Sequence, residues 1–306
     1  MANSKWVNWI IFIGLSLVWG SSFILMKEGL TALSPYQVAS LRMLSAGLVL
    51  LPFAFKAIRQ IPKGKMGMVI LSGIIGNFIP AFLFCIAETK IDSSLAGILN
   101  SLTPLFTIIV GVGFFKVQTS FIKVLGIIIG FVGLSLLFAA GKNVSFENLS
   151  YTSLILIATF FYGVNVNFVG RYMQNIKALH ITSIAFVFLI VPSILVLIFN
   201  GFFKLDFTNH QVIHATLASA VLGIVGTSIA TVLFYLLVKR AGIIFASLVT
   251  YGIPFVAVAW GVLYGESIAP AQLACMVIIL LGVYIVNRGN LNFLPFLKKR
   301  DQGHHG

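Results

Sequence analysis

Along this chain apolar positions do not alternate with polar ones; they run together in long blocks parted by short polar breaks. Blocks of roughly 20 apolar residues match the hydrocarbon thickness of a bilayer, about 30 Å, when wound into a helix. A core helix of a soluble domain keeps an apolar stripe and a polar face, whereas these segments are apolar all round. The period-two alternation of a barrel strand is missing as well. The pattern predicts an all-α integral membrane protein with ten transmembrane helices. They span approximately 6–26, 36–55, 67–88, 93–115, 121–140, 150–170, 179–199, 212–238, 243–264 and 270–287. Breakers such as Ser34-Pro35, Ile61-Pro62-Lys63-Gly64, Asn200-Gly201 and Ala269-Pro270 sit in the connections.

The second half repeats the first. At an offset of 150 residues, Gly73-Ile74-Ile75-Gly76 falls on Gly223-Ile224-Val225-Gly226, Leu83-Phe84 on Leu233-Phe234, Ala96 on Ala246, and Pro104 on Pro254. Two copies with an odd number of spans each insert in opposite orientations, the build of a secondary transporter with its solute site between inverted repeats. The expected division is a first five-helix unit over 1–141, a second over 142–288, and a cytoplasmic tail over 289–306. The polar stretch Gly141–Ser150 is the seam.

Composition agrees with the pattern: 59% of residues are hydrophobic and 9% charged, too little polar surface to coat a soluble globule. Charge adds orientation. With ten spans, the termini and even-numbered loops share fifteen Lys and Arg residues, against Lys27, Lys90, Lys142 and Lys204 on the other side. By the positive-inside rule both termini are cytoplasmic. The net charge of +13 then belongs to topology and anionic lipid, and no nucleic-acid partner is expected. The first apolar run continues to Met26 with no small-residue cleavage site, so it reads as a span and not a signal peptide. Cys85 and Cys275 fall within spans at non-equivalent repeat positions and offer no disulfide or metal framework.

Motifs of catalysis are missing: there is no H-E-x-x-H, no P-loop and no glycine-flanked serine elbow. No enzyme activity, cofactor or metal site is expected. His304-His305 reads as a feature of the tail. Of the seven acidic residues, all but Asp301 lie at or near the predicted outer face, so no proton relay is visible at the midplane.

What remains is a set of polar and aromatic residues at depth, each of which needs a partner or water. Span one carries Trp19 and Ser22, and span six carries Tyr162 and Asn165 at the repeat-related place. Asn77 in span three corresponds in the repeat to Thr227 in span eight, and Asn100 in span four to Thr250, followed by Tyr251, in span nine. Serine and threonine also glue membrane helices together, so helix packing weighs equally with solute contact for Ser22 and Thr227. Asn100, Tyr162, Asn165 and Tyr251 read more strongly as cavity lining. Pro104 and Pro254, repeated at one place, predict a paired helix bend that could gate. Arg42, about 9 Å inside span two at 1.5 Å per residue, either snorkels to the interface, anchors an anionic solute group, or pairs with Glu88. For Glu88 a solvated edge charge is favoured over a proton-coupling carboxylate.

These residues resemble the EamA-type transporters of the drug/metabolite transporter superfamily over nearly the whole chain. The resemblance is carried by Trp19-Gly20-Ser21-Ser22-Phe23 with Lys27, by Leu41-Arg42, by the stretch Ala96 to Pro104 and its copy Ala246 to Pro254, and by Gly261-Val262-Leu263-Tyr264-Gly265-Glu266. It implies two inverted five-helix repeats around a cavity lined by spans one, three, four, six, eight and nine. The first copy departs from it, with Phe114-Phe115-Lys116 where the second has Tyr264-Gly265-Glu266. The resulting expectation is a secondary transporter in the bacterial inner membrane, exporting small organic solutes such as amino acids or related metabolites by alternating access. A passive facilitator or a drug exporter is the alternative. Its partners are a small-molecule substrate and the lipid bilayer, with monomer or homodimer left open.

Overall fold

The computed structural model describes residues 2–116, 120–139, 146–247 and 249–288; most of the seam, and the tail with its His304-His305 pair, lie outside the described residues. In chain order the helices are α1 (Ala2–Leu30), α2 (Pro35–Gln60), α3 (Met66–Gly73), α4 (Ile79–Ala87), α5 (Ser93–Asn100), α6 (Thr103–Phe115) and α7 (Phe121–Ala139). Then follow α8 (Phe146–Tyr172), α9 (Ala178–Phe199), α10 (His210–Val221), α11 (Ala230–Ser247), α12 (Val249–Leu263) and α13 (Pro270–Arg288). Among the described residues, eight helical stretches are long and apolar enough to cross a membrane by length and composition. The predicted segments 121–140 and 270–287 are helical too, but their apolar stretches, Val124–Leu136 and Pro270–Gly282, are shorter.

Local sequence explains the clear boundaries. Ser34 opens α2 with a reciprocal cap: its hydroxyl accepts from the Gln37 N–H at 3.3 Å, and its own N–H donates to the Gln37 side chain at 2.9 Å. Pro35 fills the first turn, where a missing N–H costs nothing.

The surface is inverted relative to a soluble protein. Trp6, Ile10, Phe55, Phe114, Phe121 and Phe199 stand exposed while Ser72, Thr182, Ser183 and Ser193 are buried and hydrogen-bonded. Apolar groups outside and paired polar groups inside are what lipid as solvent selects. The molecule is a multi-pass membrane protein.

Helices at equivalent places of the two copies pack on each other, α2 on α9 and α7 on α13. Others exchange partners: α1 lies on α12, and α8 on α6.

Two backbone features have no counterpart in the sequence reading. α3 runs into α4 through a π-helical stretch, Ile74–Phe78, and α10 into α11 through another, Leu222–Ile229. The stretches cover the repeated Gly-Ile-Ile-Gly and Gly-Ile-Val-Gly region. Such widened turns are rare and frequent at functional sites.

The prolines depart from the paired bend expected of them. The fourth segment is two helices, broken at Ser101 and Leu102, and Pro104 sits in the first turn of α6, where it removes no helical hydrogen bond. Pro254 lies inside α12, which runs unbroken past the place corresponding to Ser101 and Leu102; the non-helical Gly242, φ 88° and ψ 163°, belongs to the connection between the predicted eighth and ninth spans. One repeated residue therefore serves two different backbone roles.

Candidate functional site

A central cavity of about 870 Å³, counting the part open to solvent, lies among these helices. That is the size range of small-molecule sites. Its wall takes Trp19, Ser22, Phe23 and Met26 from α1, Arg42 from α2, and Gly76 and Asn77 from the first π-stretch. Phe84, Asn100, Thr103, Thr107, Tyr162 and Asn165 continue it, and Gly226, Thr231, Phe234, Tyr235, Ser247 and Thr250 complete most of the far side. Of the sequence candidates, Trp19, Ser22, Asn77, Asn100, Tyr162, Asn165 and Thr250 thus meet at one place, with Arg42 among them. Thr227 and Tyr251 are not in the lining; Tyr251 packs on the main apolar cluster.

Several lining groups spend their hydrogen bonds on the protein. Asn165 is 4% exposed; it accepts from the Ser72 hydroxyl at 2.7 Å and donates to the Tyr235 hydroxyl at 2.8 Å. The side chain braces α8 against α3 and α11. Gly76 makes room for it, since a Cβ there would stand 2.0 Å from the amide nitrogen of Asn165. The counterpart contact exchanges the copies: a Cβ on Gly226 would meet the Ser22 hydroxyl at 2.7 Å. The Trp19 indole N–H donates to the Gly226 carbonyl at 3.0 Å and its ring leans on Phe234. Asn167, one turn from the cavity, ties α8 to α6 by donating to the Thr107 carbonyl at 2.7 Å. Asn165→Ala is expected to lower stability by about 1–2 kcal/mol, because Ser72 and Tyr235 lose a buried partner. Thermal unfolding in detergent measures it, and adding Tyr235→Phe should cost little more.

Arg42 is the one charged residue in the described cavity wall. Its Nε donates to the Thr227 hydroxyl at 2.6 Å, and Thr227 in turn donates to the Leu222 carbonyl at 3.1 Å. That acceptor lies five residues back, within the π-stretch. Thr227 therefore aims the guanidinium from behind. Tyr162 lies within reach of it, with its ring stacked on Phe84. No carboxylate pairs with Arg42 among the described residues. Of the three possibilities raised for Arg42, pairing with Glu88 is not realised and snorkelling is not what the side chain does.

At one end of the bundle, Lys27 and Glu266 form a clasp at 2.7 Å. Glu266 also accepts from the backbone N–H groups of Ser93 and Ser94, at 3.0 and 3.1 Å. One carboxylate joins α1, the start of α5 and the turn after α12. Burial pushes the Glu266 carboxyl up, but Lys27 and the serine donors outweigh it and hold the group below the ordinary carboxylate range. Its contribution to stability is therefore present above that range and fades as pH falls through the lowered value. The sequence marked Glu266 as the acid present in one copy alone; its partner was invisible because Lys27 lies 239 positions away. Glu88 departs from the solvated reading: it is 5% exposed, and neither carboxylate oxygen makes a hydrogen bond.

With this geometry in view, the comparisons with known proteins agree on a family. The model of the EamA-like transporter family matches twice, over residues 6–139 and 149–288. The chain belongs to the EamA-like transporter family. Among relatives of this EamA-like chain is an uncharacterized transporter of Archaeoglobus fulgidus, 26% identical over 285 residues, covering 92% of this chain and 99% of its own. The "Probable amino-acid metabolite efflux pump" of Salmonella typhimurium is 26% identical over 280 residues, covering 88% and 91%. The inner membrane transporter YedA of Escherichia coli is 24% identical over 288 residues. A solved crystal structure shares the fold with a TM-score of 0.64 over 90% of this chain and 94% of its own, at 18% identity. The protein is a membrane transporter of this family, and its named relatives are transporters or efflux pumps.

Proposed function

We propose that this EamA-like protein carries small carboxylate-bearing organic solutes, zwitterionic amino acids or related metabolites, out across a bacterial inner membrane by alternating access. The single observation that carries this reading is Arg42, a guanidinium in an aromatic and amide-lined cavity with no carboxylate partner among the described residues. A cation kept in a membrane cavity without a counter-ion is favoured only if a ligand supplies one. Arg42 holds the solute carboxylate, Asn77 and Asn100 accept from its other polar group, and Trp19, Phe84 and Tyr162 enclose its apolar part. Asn165 and Thr227 position their neighbours, with Thr250 on the opposite wall.

The architecture behind this reading is ten spans in two inverted five-helix repeats, 1–141 and 142–288. The double family match, the self-pairing of α2 with α9 and of α7 with α13, and the exchanged contacts Gly76–Asn165 and Gly226–Ser22 support it. The excess of Lys and Arg on one side supports cytoplasmic termini, which puts the Lys27–Glu266 clasp outside. The named efflux pump among the relatives supports export.

Counterflow in proteoliposomes tests the reading. Vesicles loaded with a pool of unlabelled amino acids should accumulate at least one labelled amino acid transiently and saturably. Leak without counterflow would instead mean a passive facilitator. Silence across amino acids with counterflow of lipophilic cations would replace the carboxylate reading by drug export.

A further inference from the structure

Glu88 closes α4 through its backbone N–H, and its carboxyl is buried with neither oxygen in a geometric hydrogen bond. The neighbouring Ser93 hydroxyl lies within reach of the carboxyl without being set in hydrogen-bond geometry to it, and it has no other partner. Among the described residues four buried side-chain oxygens lack a partner, and three of them are at this one place. Buried polar groups are normally hydrogen-bonded, so three orphaned oxygens at one place call for a partner that the protein atoms do not supply.

The charges around it are few. Lys27 faces it from α1, Arg42 from α2, Glu266 from the turn after α12, and the Cys85 thiol from its own helix. Asp92 stands 3.8 Å from the Lys27 ammonium. That ammonium is already engaged by Glu266 at 2.7 Å. Glu266 and Asp92 both stand within ion-pair distance of that ammonium, and Glu88, buried beside them, has no ion pair among the described residues. A buried carboxylate with no donor is far costlier than the neutral acid, which has one charge fewer to solvate.

We propose that Glu88 is a proton-binding site, occupied while Glu266 clasps Lys27 and emptied when the clasp opens. On opening, the carboxyl O–H bond breaks, the proton passes to entering water, and the freed Lys27 ammonium balances the new carboxylate. A metal cation suits the place poorly. It needs a shell of oxygens, and Lys27 and Arg42 flank the site with positive charge. Because the clasp ties α1, α5 and the end of α12, all joined to the cavity wall, the proton reports on whether the cavity is closed at that end. The coupling half of this inference rests on the transport reading above; the proton site does not.

The test uses the full chain in proteoliposomes. Infrared difference spectra at neutral pH should contain a carboxylic acid C=O band that disappears on alkalinisation and is missing in Glu88→Gln. No such band in the unmodified protein, or a band that persists in Glu88→Gln, overturns the site. The unmodified protein decides the matter on its own if Glu88→Gln does not insert. An imposed pH gradient should drive solute accumulation, and Glu88→Gln should reduce that accumulation at least tenfold. Undiminished accumulation in Glu88→Gln, or accumulation that follows a sodium gradient, overturns the coupling. The band without any counterflow would leave the proton site standing and reject the transport reading.

Discussion

Arg42→Ala protein is expected to lose at least about thirtyfold in affinity for a carboxylate-bearing solute, the effect of removing one partner from a buried charge pair worth roughly 2–5 kcal/mol. The loss should appear as a raised half-saturation concentration in counterflow. The side chain lines the cavity and is aimed by Thr227 at 2.6 Å, so nothing else in the described wall can take over its charge. Arg42→Lys should recover only part of the affinity. A lysine is a point charge and cannot present a two-pronged donor face to the solute while a third N–H stays on Thr227. The methyl ester of the same solute supplies the control. It should be carried no better by the unmodified protein than by Arg42→Ala. Equal half-saturation for acid and ester in the unmodified protein would reject the role of Arg42.

The second large effect falls on folding. Gly163→Leu is expected to destabilise the protein by about 3 kcal/mol or more, at the upper end of overpacking costs. A Cβ at Gly163 would stand 2.8 Å from the carbonyl carbon of Phe106 and 2.8 Å from the nitrogen of Thr107. Both are backbone atoms of α6, so no rotamer change relieves the clash; α6 and α8 must separate, and the Asn167 bond to the Thr107 carbonyl separates with them. Close approach through glycine is how membrane helices gain packing where lipid gives no hydrophobic drive. Gly14→Ala is the contrast. No atom lies within 4 Å of its Cβ position, and alanine should leave stability unchanged or slightly raised. Melting temperatures of the two variants in one detergent compare them; a Gly163→Leu protein as stable as Gly14→Ala would reject the close-packing account.

The glycines and the polar residues differ in how far they could be read. Gly73, Gly76, Gly223 and Gly226 were visible as a repeat, and the repeat fell where both copies carry a π-stretch. The stretch itself was not visible, because one extra residue per turn leaves no mark in composition. Thr227 lies within it: its hydroxyl donates to the Leu222 carbonyl and accepts from Arg42, so the threonine is a support for Arg42 and not a wall of the cavity. Asn165 was singled out for its hydrogen-bonding capacity, and that capacity is spent on Ser72 and Tyr235. A list of deep polar residues finds the region and cannot divide its members into solute contacts and braces.

Glu88 and Glu266 show the same limit for charge. By sequence both sit at span ends, where solvent is the default partner. Glu266 instead finds Lys27 and two serine N–H groups, and Glu88 is closed off from water without any of them.

The sequence by itself determined the membrane class, the helical segments, the double family pattern and the neighbourhood of the cavity. Each follows from hydropathy, spacing or local turn chemistry, which act over a few residues and so are written in the order of the chain. Only the tertiary structure decided that Arg42 turns inward, that Lys27 meets Glu266 across 239 positions, and that Glu88 is left alone. Those outcomes depend on the rotation and approach of helices from different copies. Such distances are set by the glycine contacts and π-stretches of the folded whole.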